Sequence, residues 1–150
     1  MEPLATIATL FRPSGAGPSV RGRLDATLVK VADLYTGLAA GRADVDPRGV
    51  LAALRVDLEL HFALEEGDAY FGAFVRERPE LAHGVAELRE EHTALLEKLD
   101  GLRAMASALG ASPELAEPTA RLVEAFREHE HKEADLLQEA VLRDEGTGAD

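Results

Sequence analysis

Five side chains of this sequence are spaced for chemistry. His61 and Glu65 stand four apart in HFALEE, and His129 and Glu133 repeat that spacing in HEHKE. A third histidine, His92, lies in REEHTALL. On an α-helix, residues four apart share a face one turn apart, so each His-x-x-x-Glu pair presents an imidazole and a carboxylate together. Those are the ligand types that suit iron, manganese or zinc. They are also the types that form a hydrogen-bonded pair inside a protein core. Thiolate ligation and disulfides are excluded, because the chain has no cysteine.

The surrounding pattern gives these residues meaning. A bundle helix buries positions spaced alternately three and four apart. In one segment that stripe reads Leu81, Val85, Leu88, His92, Leu95, Leu99, Leu102, Ala106, Leu109, apolar except at His92. A second reads Leu51, Leu54, Leu58, His61, Glu65, Ala69, and a third Leu122, Phe126, His129, Glu133, Leu136, Ala140. An unpaired ionised carboxylate costs several kcal/mol to bury. Two carboxylates and three imidazoles on buried stripes therefore call for compensation, which a cation supplies directly.

The elements that carry these stripes follow from punctuation. Ser19 is a suitable N-cap for a first helix ending near Ala40, with Gly41 as stop. Asp46-Pro47 opens a second helix, expected to continue to Pro79. A third runs from Pro79-Glu80 to Leu109, with Gly110 as stop, and a fourth from near Pro118 to about Arg143. Strand signals are absent. The expected fold is all-α, an up-down-up-down four-helix bundle over 19–144, after an N-terminal arm and linker (1–18) rich in Pro and Gly and before a frayed tail (145–150). In antiparallel helices, heights are compared by counting from the connecting loop. His61 lies 17 residues before Arg78 and His92 lies 14 after it. His92 and His129 differ by a few residues more about the next loop, each worth about 1.5 Å of rise. The five groups are thus expected in one layer of the core.

The segments LELHFALEEGDAYF, LREEHTALLEKLDGL and FREHEHKEADLL resemble the second, third and fourth helices of the hemerythrin-like, or HHE cation-binding, family, and the likeness extends over most of residues 20–143. The resemblance implies a bundle holding a non-haem di-iron centre, with bridging carboxylates, an oxo or hydroxo bridge, and open positions for a small diatomic ligand. It implies the ligands His61, Glu65, His92, His129 and Glu133. The family also places a histidine on its first helix, and this chain has none there. Counting back from the loop gives the level of Thr27, near which Asp25 is the one carboxylate; it is either a substitute ligand or an exposed acid favoured by the helix dipole. Oxygen carriers of the family have a further histidine on the third helix. The positions four residues from His92 are Leu88 and Leu96 here, which disfavours reversible oxygen carriage.

The reading that follows is a metal-binding protein with one or two non-haem irons, manganese or zinc being alternatives, acting in oxygen or nitric-oxide sensing or in iron handling. It reads as a binder rather than a catalyst. Two competing readings remain open: a metal-free bundle that binds a protein partner, and a di-iron enzyme repairing iron centres or consuming peroxide. A net charge of −12 with no basic stripe argues against a nucleic-acid partner. No stretch approaches 18 apolar residues, and the first residues lack a signal-peptide pattern, so no membrane role and a cytoplasmic location are expected.

Overall fold

The computed structural model describes residues 19–148 and the side chains of 19–139; the expected arm and linker at 1–18 lies outside them. Five α-helices follow: α1 (Val20–Ala39), α2 (Pro47–Glu66), α3 (Phe71–Glu77), α4 (Ala82–Leu109) and α5 (Ala116–Gly148), with single 3-10 turns at Pro79–Leu81 and Pro113–Leu115. Among the described residues there is no strand. The four long helices form the ring α1–α2–α4–α5, each packed against its two neighbours in that order. This is the up-down-up-down bundle.

The helix ends obey their local signals. Ser19 Oγ accepts from Gly22 N at 2.9 Å and starts α1. Asp46 Oδ1 accepts from Gly49 N at 3.0 Å, with Pro47 in the first helical position of α2. Each such cap contributes about 1 kcal/mol. The stops after α1 and α4 place Gly41 and Gly110 at φ of 77° and 66°, values that favour glycine. Two boundaries differ from the sequence reading. Helix α5 begins at Ala116, two residues before Pro118, because a first-turn N–H has no intrahelical partner and proline loses nothing there. It continues to Gly148 instead of stopping near Arg143, so most of the expected frayed tail is helical; no proline interrupts the ladder.

The larger correction concerns the second helix. It does not run unbroken to Pro79 but stops at Glu66 and resumes as α3. Gly67 turns extended, with ψ of 165°, and its carbonyl accepts from Tyr70 N at 3.1 Å and Gly72 N at 3.2 Å. An interior glycine already weakens a helix by about 1 kcal/mol. The break brings Tyr70, Phe71 and Phe74 inward, all buried, whereas Ala69, expected on the stripe, is exposed. Leu109 is likewise exposed, at the open end of α4.

These aromatics build a second apolar cluster with Leu81, Val85 and Leu88, joined by Leu136 and Leu137. The main core fills the rest of the bundle, from Leu24 and Leu51 to Phe62, Leu99 and Phe126. The residues of interest lie between the two clusters, at the top of α2 and midway along α4 and α5.

Candidate metal centre

Helices α2, α4 and α5 deliver five polar side chains to this level, and all are buried: His61, Glu65, His92, His129 and Glu133. One ligand-type atom from each of Glu65, His92, His129 and Glu133 lies within 4.8 Å of the other three. His92 Nε2 is 3.1 Å from Glu65 Oε1, and His129 Nε2 is 3.7 Å from Glu133 Oε2. Despite this closeness, Glu65 Oε1, His92 Nε2 and His129 Nε2 make no hydrogen bond. Buried polar atoms are normally satisfied, and leaving one bare costs about 1–3 kcal/mol. Three such atoms on residues that cluster this closely fit a cation, which would accept a lone pair from each.

The far sides of both imidazoles are held. His92 Nδ1 is 2.8 Å from Glu66 Oε2, and His129 Nδ1 is 2.8 Å from Glu91 Oε1. Lys132 Nζ donates to the other oxygen of Glu91. A carboxylate on Nδ1 keeps the proton there and turns the Nε2 lone pair toward the cluster, as in metal-bound histidines generally. The His92 ring is further clamped by Phe62, stacked at 3.9 Å between centroids and 8° between planes, and by Phe71 at 5.8 Å and 14°. Tyr70 Oη donates to Glu133 Oε1 at 3.0 Å, leaving Oε2 on the His129 side.

His61 stands beside the group of four, with Nε2 3.3 Å from Glu65 Oε2, the oxygen opposite the bare one. Asp25 is elsewhere. Its carboxylate is exposed and paired with Arg21 Nε at 3.0 Å on the outside of α1, so the structure does not bring it to the cluster. Thr27, level with the expected ligand position, donates to Asp57 Oδ2 at 2.5 Å. Asp57 is buried one turn before His61 and also meets Arg23 at 3.6 Å. His83 and His131 are exposed, as the stripes require.

Burial sets the charge of the two carboxyls. It opposes ionisation of Glu65, but the adjoining imidazoles of His61 and His92 and the Glu133 carboxyl outweigh it and hold Glu65 well below the usual carboxylate range. Burial, then the Glu65 charge, pushes Glu133 up to about 10. The pair thus holds one proton and one negative charge between them. Burial lowers His129 against the pull of Glu91, keeping it neutral with a free lone pair. Burial, reinforced by the acidic Glu133–Glu65 pair beside it, raises the Tyr70 phenol far above its ordinary value, so it remains a hydrogen-bond donor.

Residues missed by the stripe pattern therefore complete the site: Glu66, Glu91 and Tyr70. Glu66 and Glu91 each sit beside a stripe ligand in sequence, about 100° off the stripe itself. Their one signal is adjacency, since a residue next to a buried ligand can reach across the groove to the neighbouring helix.

Bundle and cluster together define a four-helix protein with a buried carboxylate–imidazole site able to hold a cation. The family model described as hemerythrin HHE cation binding domain matches residues 26–146, and the chain belongs to that family. No curated protein and no solved structure matches it. Among the described residues no helix is long and apolar enough to cross a membrane.

Proposed function

We propose that the layer binds non-haem iron and that the protein uses it to sense a small diatomic molecule, oxygen or nitric oxide. The observation that carries this reading is the convergence of three bare buried ligand atoms, Glu65 Oε1, His92 Nε2 and His129 Nε2, with Glu133 beside them. Two imidazoles and two carboxylates suit iron over soft metals, and manganese and zinc compete for the same set. Iron so held would supply coordination positions for the diatomic molecule.

The protein's own residues do the rest. Glu66 and Glu91 orient the imidazoles. Phe62, Phe71 and Phe126 are buried against the imidazoles and give the layer apolar walls, which keep bulk water from it. Tyr70 holds Glu133 and keeps its own proton.

Elemental analysis of tag-free protein should find iron, and anaerobic ferrous protein exposed to nitric oxide should develop a visible absorption band that His92→Ala abolishes. Protein that takes up no metal, and whose melting temperature is indifferent to chelator, would be a metal-free bundle instead.

A further inference from the structure

We infer that the layer binds one cation and not two, with Glu65, His92, His129 and Glu133 as its protein ligands and His61 as a positioning residue that acts through Glu65. This rests on the metal-binding reading above and specifies it.

The ligand atoms divide into two unequal sets. Around the first centre stand Glu65, His92, His129 and Glu133, with one ligand-type atom of each within 4.8 Å of the others, and the first three residues each carry a buried atom without a hydrogen bond. A second centre would have to lie on the other side of Glu65 and Glu133, toward α1, with His61 as its one nitrogen. His61 Nε2 is engaged there with Glu65 Oε2 at 3.3 Å, and Glu133 Oε1 is engaged with Tyr70. Helix α1 must then supply the remaining ligands.

The register shows what α1 presents. Thr27 pairs with Asp57, so in antiparallel helices His61, one turn further along α2, is level with a point one turn back along α1, at residues 23–24. Leu24 is fully buried there and offers only an alkyl group. Arg23 extends to Asp57. One half-turn earlier, Arg21 joins Asp25 at 3.0 Å and also binds Glu130, the residue after His129. On this side α1 thus brings one hydrocarbon and two guanidinium groups. Guanidiniums do not ligate metals, and both are already engaged by carboxylates, Arg21 with Asp25 and Glu130 and Arg23 with Asp57. The hydrogen bond from His61 leaves Glu65 with one oxygen fixed and the other aimed at the single centre.

The test is metal counting on tag-free full-length protein. Manganese(II) is added to wild type, His61→Gln and His92→Gln, followed by native mass spectrometry, calorimetric titration and electron paramagnetic resonance. One ion per wild-type chain with an isolated-ion spectrum is expected. His61→Gln should keep one ion with affinity weakened about 10–100-fold, the usual effect of losing an orienting partner; His92→Gln should lose it. Two ions per wild-type chain with an exchange-coupled spectrum, falling to one in His61→Gln, would overturn the inference and leave the metal-binding reading standing. No ion in wild type would remove both. The wild-type count decides even if a variant fails to fold.

Discussion

Between pH 7 and 9 the metal-free protein should lose about 1.4 kcal/mol of stability for each pH unit. The cause is a single proton on Glu133. Burial and the charged Glu65 raise this carboxyl to about 10 in the folded chain, whereas an unfolded glutamate titrates near 4.3. A group whose folded value is raised contributes stability that is complete below the unfolded value and is lost as pH climbs to the folded one. Throughout pH 7–9 the folded chain keeps the proton and the unfolded chain has released it. One proton of difference gives a slope of 2.303RT, about 1.4 kcal/mol per unit. Glu65, shifted downward, has contributed fully by pH 5, and His129, held neutral, by about pH 7. The expected loss over two units is about 2.7 kcal/mol, a large share of the 5–15 kcal/mol typical of a domain, equivalent to a fall in Tm of on the order of 10 °C. Urea unfolding in chelator at pH 7, 8 and 9 measures it. Glu133→Gln keeps a hydrogen-bonding group but has no proton to lose, so its profile should be flat. Saturating metal should flatten the wild-type profile as well, because a bound cation displaces the Glu133 proton to solvent and the folded chain then has none to lose. A wild-type profile flat to within 0.5 kcal/mol, or a slope that persists in Glu133→Gln, would refute the shared-proton account.

Glu66→Gln and Glu91→Gln should each weaken metal binding about 10–100-fold while leaving the fold intact, because each removes the carboxylate that orients a ligating imidazole; calorimetric titration reads the effect. Tyr70→Phe should cost about 1–3 kcal/mol in urea unfolding by taking the donor from a buried Glu133 oxygen. Asp25→Ala should change neither metal affinity nor, by more than about 0.5 kcal/mol, stability, since the exposed pair it breaks with Arg21 is worth little; a tenfold loss of affinity would restore Asp25 as a ligand.

Much of this arrangement was written in the stripes. Helical periodicity requires that His92, flanked by Leu88 and Leu95, face inward, and loop counting brings His61, His92 and His129 to one level because rise per residue is fixed. The break at Gly67 was not legible, because an isolated glycine is tolerated inside a helical pattern at a cost of only about 1 kcal/mol. Only the burial of Tyr70, Phe71 and Phe74 against Leu81 and Leu88 decides it. Counting by loops resolves about one turn, too coarse to separate His61, beside Glu65, from the four groups that meet. Glu66 and Glu91 project about 100° from their neighbours on the stripe, where acids are usually solvated. Their role depends on how far α4 and α5 stand from the adjoining helices, which no single helix encodes. Thr27 and Asp57 show the same limit: each looks polar and surface-bound alone, and burial becomes affordable only when the two meet.

The most direct test of the polar layer as a cation site is anomalous diffraction at the iron edge from crystals of the tag-free, iron-loaded chain. The account predicts one peak, about 2 Å from Glu65 Oε1, His92 Nε2 and His129 Nε2. Iron found only at surface carboxylates, or these three atoms turned away from one another with no peak between them, would contradict it.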